Sequence, residues 1–207
     1  MLSNTAPLTT YGNHYRRPLS RKLATLASGA FLCTSLFAFG SSIWIKSKAA
    51  LSQHLIKDAW EETLEKNTQV KPWPWADTWP IARLIAPEYN IDFYVLAGSQ
   101  GNSLAFGPGH IDGTAMPTEH GTIIFSGHRD THFSFLQNIK QGNTLQVQNK
   151  RGEWRNYEVI NQEVKNSDEE HWFIDSNSDA LKLITCYPFN SINPGGPLRY
   201  IVTATPI

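Results

Sequence analysis

The sequence predicts an all-β domain behind an N-terminal apolar helix, and three observations carry that prediction. Beyond residue 80 the chain is a succession of short runs rich in β-branched and aromatic residues, punctuated by Gly, Pro and Asn. Twelve prolines and seven tryptophans in 207 residues suit half-buried sheet surfaces better than helices. Residues 23 to 45 carry no charge over about 23 positions, enough for a helix that crosses the roughly 30 Å hydrocarbon core of a bilayer. The length suits one globular domain with appendages. With 18 basic and 18 acidic side chains and 17% charged residues, the composition offers no footprint for nucleic acid. Only Cys33 and Cys186 are present, far apart and in unlike surroundings, so packing and not a disulfide must hold the fold.

Taken in order, Arg16, Arg17, Arg21 and Lys22 precede the apolar run and Lys46 and Lys48 follow it, which places the N-terminus in the cytoplasm and the domain outside the cell membrane. Trp44 stands where an interfacial aromatic is expected. Ala38-Phe39-Gly40 has the small-residue spacing of a signal-peptide cleavage site, the competing reading. A long polar N-terminal region and an apolar run that continues to Ile45 favour a single-pass anchor. The expected organisation is a cytoplasmic basic tail (1–22), a transmembrane signal anchor (23–45), a stalk helix and linker (46–70) and the globular domain (71–207).

In the stalk, Leu51, Leu55, Ala59 and Thr63 or Leu64 recur at helical period, with Lys57, Asp58, Glu61 and Glu62 mostly on other faces. The prolines of Lys71-Pro72-Trp73-Pro74-Trp75-Ala76-Asp77-Thr78-Trp79-Pro80 forbid helix, and its tryptophans must dock on the domain, the stalk or the membrane interface. Strands are expected near 81–85, 93–96, 121–125, 144–148, 157–164, 181–185 and 199–204. Arg151-Gly152-Glu153 reads as a hairpin turn, and Thr131 to Ile139 has room for one or two helical turns. Gly98 to Pro117 is too rich in Gly and Pro for a regular element and reads as an ordered loop or a lid.

The chemistry centres on Leu181 to Phe189, a run that delivers Cys186 at a strand end. A buried cysteine is usually a small hydrophobe, and a free thiol with a pKa of about 8.5 is mostly protonated at neutral pH, so a nucleophile needs a partner. Of His110, His120, His128, His132 and His171, His128 is placed best, in a turn that follows the strand expected at 121–125. Arg199 opens the last strand after a Gly-Gly-Pro turn, where antiparallel pairing sets it beside Cys186. A fixed guanidinium there can stabilise the charge that acyl transfer builds on a carbonyl oxygen. The competing roles are an exposed turn histidine and an arginine that neutralises a carboxylate.

Ser126-Gly127-His128-Arg129-Asp130, Leu183-Ile184-Thr185-Cys186 and Arg199-Tyr200-Ile201-Val202 together resemble the histidine, cysteine and arginine motifs of the sortases, in family order, over about residues 71 to 207. Lys71 to Asp77, Gly107-Pro108-Gly109-His110 and Cys186-Tyr187-Pro188-Phe189 further resemble the subgroup described from marine Gram-negative bacteria. The resemblance implies a closed β-barrel of about eight strands with short helices, and a membrane-anchored cysteine transpeptidase. It implies as partners a secreted protein with a C-terminal LPXTG-like signal and an amine acceptor, with the membrane held through the N-terminal helix. It implies Cys186 as nucleophile, His128 as acid and then base, Arg199 on the oxyanion or the substrate backbone, and Thr185 in support. No cofactor or metal is implied. His110 either reaches the substrate or fastens its loop. Asp130 either orients His128, pairs with Arg129 or caps the following turn.

Three other functions compete. His128-x-x-x-His132 with His120 nearby has the spacing of metal ligands, although that spacing selects one face only on a helix. A non-enzymatic envelope-binding barrel would use the tryptophans. A thiol protease would hand the same acyl group to water.

Overall fold

The computed structural model describes residues 19–169, 178–191 and 195–207. Arg16, Arg17 and His171 fall outside the described residues, and with the first two goes most of the expected cytoplasmic tail. The chain divides into two compact units, Met1–Ser47 and Lys48–Ile207.

The first unit holds the start of helix α1 (Leu19–Lys66). Its apolar window, Leu23–Gly40, contains no buried residue, and Phe31, Leu36 and Phe37 are exposed. Thr34 and Ser35 donate their hydroxyls to the carbonyls of Ala30 and Phe31 at 2.8 Å, so these polar groups are satisfied inside the helix. By length and composition the window can cross a membrane.

In the second unit, the expected stalk is the remainder of α1, and it packs on the barrel. The buried face is Ser52, Ile56, Ala59, Trp60 and Thr63: Ala59 and Thr63 lie on the predicted stripe, but Ile56 and Trp60 shift the face, with Leu55 half-buried and Leu51 left exposed. The shift follows from Trp60, which is 1% exposed, donates its indole N–H to Gln148 Oε1 and tilts against Tyr94. Burying that ring outweighs burying Leu51.

The barrel has eight strands: β1 (Pro80–Ala86), β2 (Ile91–Ala97), β3 (Gly109–His110), β4 (Ile123–Ser126), β5 (Thr144–Asn149), β6 (Trp154–Asn166), β7 (Leu181–Cys186) and β8 (Leu198–Pro206). They close in the order β1-β2-β3-β4-β7-β8-β6-β5, which leaves no sheet edge open. The interior is filled by alternate residues of facing strands, including Leu84, Val95, Phe125, Leu145, Leu183 and Val202. Seven strands stand where alternation and turns predicted them, several a residue or more longer, and Gly152, with φ of +80°, makes the β5–β6 turn. The turn expected within 131–139 is a 3₁₀ segment, Ser134–Gln137.

The Gly98 to Pro117 stretch departs from the expectation of no regular element. It contains helix α2 (Asn102–Phe106) and β3, which pairs parallel to β2 and antiparallel to β4. A Cβ at Gly109 would lie 2.1 Å from the Gly98 carbonyl oxygen, so the backbones meet more closely than any side chain permits.

In the Trp-Pro segment, Pro72 and Ala76 are buried, and Trp73 sets its edge against Phe106 at 5.2 Å. Thr78 donates to the Ala97 carbonyl at 2.7 Å, and Trp79 packs against the core. Trp75 alone of the three stays 82% exposed.

At the pole where β4 and β7 begin, the Asp179 carboxylate accepts from the Gly121 N–H at 2.8 Å, from Arg155 at 2.9 Å and from His120 at 3.1 Å. These donors, the Gly121 amide first, hold its carboxyl well below the ordinary carboxylate range. A depressed folded pKa gives stability that is present above the unfolded value, about 3.9, and is lost as pH falls toward the folded one. Asp179→Asn is therefore expected to lower the Tm at pH 7, with the gap to wild type closing on acidification below about pH 4; thermal melts from pH 7 to 2.5 check it. Trp60→Ala, which unseats the stalk, is expected to cost about 3 kcal/mol or more in denaturant unfolding.

Candidate active site

Cys186 owes its position to two ladders. On one side β7 runs parallel to β4, with Ser126 opposite Ile184. The pairing outlasts the strand: the Gly127 N–H donates to the Ile184 carbonyl at 3.1 Å, and the buried Thr185 hydroxyl donates to the Gly127 carbonyl at 2.7 Å. His128, the next residue, thereby emerges at the strand end where Cys186 stands. On the other side β7 runs antiparallel to β8, with Cys186 opposite Arg199. The next rung is the Tyr187 N–H to the Leu198 carbonyl at 3.0 Å. Cys186 and Arg199 are thus a non-hydrogen-bonded pair, the kind whose facing Cα atoms approach to about 4.5 Å and whose side chains lie closest.

The face is also set. Leu181 and Leu183 point into the main core, while Ile184 belongs to a separate cluster with Ile124 and Ile201. By alternation Cys186 shares the face of Ile184, and Arg199 that of Ile201, so the thiol and the guanidinium lie on the outer side of the wall, over an apolar floor. Cys186 is half-buried and His128 exposed. The Arg199 Nη1 donates to the carbonyls of Gly196 at 2.6 Å and Leu198 at 3.0 Å, within its own turn. Gly195 and Gly196, with φ of +86° and +89°, supply the left-handed backbone of that turn.

The turn at His128 is held from beneath. The Phe133 N–H donates to the His128 carbonyl at 3.0 Å, and Phe133, fully buried, lies where a Cβ on Gly127 would meet its ring at 2.8 Å. Arg129, 5% exposed, donates through Nε to Asp130 at 3.2 Å and through Nη2 to the Ser191 carbonyl at 2.9 Å. It joins the His128 turn to the segment that follows Cys186. Past the cysteine, Tyr187 stacks on Tyr200, and Phe189 sets its edge against Tyr200 at 5.2 Å. The Arg129–Ser191 bond and the Tyr187–Tyr200 stack leave no trace in the sequence, because an arginine after a histidine and a tyrosine opposite a threonine carry no periodic signal.

The remaining candidates divide. Thr185 stands between Cys186 and the His128 turn. Asp130 is exposed and paired with Arg129, the arrangement that competed with orienting His128. His110 is 5% exposed, its Nε2 within 3.0 Å of both the Ala115 carbonyl and the Thr114 hydroxyl and its ring edge-on to Phe125, so it fastens its own loop. His132 sits edge-on to Phe93 at 5.4 Å, and burial first, then the charge of His128, holds its imidazole below the ordinary value. His120 lies at the opposite end of β4, on Asp179, and cannot join His128 and His132 around one ion. Among the described residues no group of three His, Cys, Asp or Glu side chains has a metal-binding arrangement.

Comparison with known proteins gives the same constellation a context. The chain is 31% identical to sortase D of Bacillus subtilis (strain 168) over 117 residues, 56% of this chain and 58% of that protein, so it spans well under two thirds of that relative. Sortase A of Corynebacterium diphtheriae superposes with a TM-score of 0.57 at 26% identity, over 64% of this chain and 63% of that one. Streptococcus agalactiae sortase C1, solved as its complex with MTSET, gives 0.55 at 27% identity over 62% and 69%. In fold alone, the Clostridium perfringens sortase D5 transpeptidase gives 0.58 at 22% identity over 75% and 96%. The family model of the sortase domain matches residues 84–207, a stretch that contains β2 through β8 and all three of His128, Cys186 and Arg199, and the chain belongs to the sortase family.

Proposed function

We propose that this chain is a membrane-anchored cysteine transpeptidase that cleaves an LPXTG-like sorting signal and transfers the protein to an amine. The observation that carries the reading is the Cys186–Arg199 pair, with the His128 turn bonded to the same strand through Thr185.

The chemistry follows from that juxtaposition. The Cys186 thiolate attacks the threonine carbonyl of the signal, and the pair of electrons moves onto the carbonyl oxygen. Arg199 faces the thiol from the neighbouring strand, so its guanidinium, released from its own turn, can donate to that oxyanion or hold the peptide backbone beside it. The C–N bond to glycine then breaks. His128 as imidazolium gives the departing amine its proton, leaving a thioester on Cys186. The now neutral imidazole takes a proton from the incoming amine as it attacks the thioester, and the thiolate leaves. The exposure of His128 suits a group that must meet both a leaving and an arriving amine. Burial first, and then the charge of His128, disfavour a second positive charge on His132. Thr185 would serve by holding the Gly127 carbonyl, and hence the His128 turn, at its height on β7.

Residues 23–45 would be the anchor, with the N-terminus cytoplasmic, the stalk of 46–70 and the barrel of 71–207 on the other side. The exposed apolar window of α1 supports that reading.

The test is cleavage of LPXTG-type peptides by the full chain in detergent or nanodiscs, with products compared with and without an added amine. A transpeptidase is expected to form an amide product that grows with amine at the expense of free acid; free acid alone at every amine concentration would identify a protease that uses water. Cys186→Ala is expected to abolish turnover. His128→Gln is expected to lower kcat/KM by about 10²–10⁴-fold, and Arg199→Lys, which loses the planar fork, by about 10²-fold or more. Retained turnover in Cys186→Ala would refute the assignment.

A further inference from the structure

Away from the site, the stalk end of α1, the Trp-Pro segment and α2 enclose an apolar groove of about 640 Å³, lined by Leu51, Leu55, Trp73, Trp75 and Phe106, with Lys48 and Asp77 at its polar margin. The volume falls in the roughly 300–1,000 Å³ range of pockets that hold small ligands. Leu51 is 57% exposed and Trp75 82% exposed, so two large apolar side chains stand in the open where a soluble surface normally hides them.

The exposure of Trp75 is built into the segment. Pro72 and Ala76 on either side of it are buried, and the Ala76 N–H donates to the Trp73 carbonyl at 2.9 Å. Thr78 is bonded to Ala97, and prolines at 72, 74 and 80 restrict the backbone between. A tryptophan held outward by a segment anchored on both sides loses little conformational freedom on binding. The groove also has a defined neighbour in the chain. Lys48, at its margin, follows Ile45, the last residue of the apolar run, by three positions, so the backbone can separate them by no more than about 11 Å. A lysine at that remove from a membrane-spanning run, and a tryptophan lining the same groove, are residue types that settle at a bilayer surface.

We propose that this groove receives lipid from the bilayer surface beside which the apolar run ends, with Trp75 and Leu51 inserted at the interface, so that the barrel is held against the membrane by a docking face in addition to its anchor. The inference rests on the membrane-anchored reading above. It has a consequence for catalysis: a docked barrel presents the Cys186 face at a fixed attitude to substrates that share the membrane, whereas a barrel on a stalk alone would sample many.

The test uses the full chain carrying Cys33→Ser, Cys186→Ala and Asp77→Cys, labelled at the single remaining thiol with a nitrobenzoxadiazole dye and reconstituted into phosphatidylcholine/phosphatidylglycerol vesicles. Flotation of the vesicles first scores anchoring. In vesicles whose lipids carry a nitroxide high on the acyl chain, emission is expected to fall at least about two-fold relative to unlabelled lipid, since interfacial groups sit roughly 5–10 Å into the headgroup and acyl boundary. Adding Trp75→Ala, at a position already exposed, is expected to leave the melting temperature unchanged and to remove most of that quenching. Protein that floats but is not quenched would overturn the docking face and leave the anchor standing. Equal quenching with and without Trp75 would also overturn it, as would dye at 77 shielded by a second copy of the chain in crosslinked dimers. Protein that fails to float would remove the anchored reading and the docking face with it.

Discussion

The parallel pairing of β4 with β7 is the constraint on which the rest of the site depends. Parallel neighbours point the same way, so both strands deliver their C-terminal ends to one pole of the barrel, and the residues just beyond them meet there. An antiparallel partner would have sent the His128 turn to the opposite pole, where His120 in fact lies. The crossover from β4 to β7 is long, and β5 and β6 lie within it; closure of the barrel through β8 makes that arrangement possible. The Thr185 hydroxyl on the Gly127 carbonyl then extends the register past the last ladder bond and carries it to the His128 turn.

Around that pairing the structure separates an inner economy from an outer one. The inner faces of β4, β7 and β8 belong to the closed core, and the odd-numbered positions of β7 are spent there. The even-numbered positions, ending in Cys186, face outward over Ile124, Ile184 and Ile201, where a chain can be laid down without disturbing the core. A free cysteine that packs as a small hydrophobe would be expected among the inner residues. Cys186 lies instead on the face shared with Arg199, half-exposed, which is where a thiol that must reach a peptide carbonyl belongs.

Most of this was legible in the sequence because it is periodic or punctuated. The strands announce themselves by alternation, and Cys186 and Arg199 could be set side by side from a short connection rich in Gly and Pro. Other features carry no such signal. Strand β3 is two residues long inside a Gly-rich stretch, and it forms because Gly109 lets two backbones touch, a relation between positions 98 and 109 that no local pattern records. The stalk stripe was right at Ala59 and Thr63 but missed Ile56 and Trp60, because hydrophobic period counts leucines and a tryptophan alike, whereas the interface is decided by the ring of Trp60 and its partner Gln148, 88 residues away in the chain. His110 offered no way to choose between substrate and loop until its nitrogen was found between Thr114 and Ala115. Pairing of Arg129 with Asp130 was one of three roles the sequence left open for that carboxylate; the hold of Arg129 on Ser191 depends on how the chain after β7 returns past the His128 turn.

On the proposed mechanism Cys186, with His128 and Arg199 at its side, forms a covalent acyl intermediate. Intact-protein mass spectrometry of the full chain incubated with an LPXTG-type peptide, followed by peptide mapping, tests it most directly. The expected product is an added mass equal to the peptide up to and including its threonine, located on Cys186, absent from Cys186→Ala, and discharged by hydroxylamine. An adduct on Cys33, or no adduct across a panel of such peptides while the peptide is nonetheless cleaved, would contradict it.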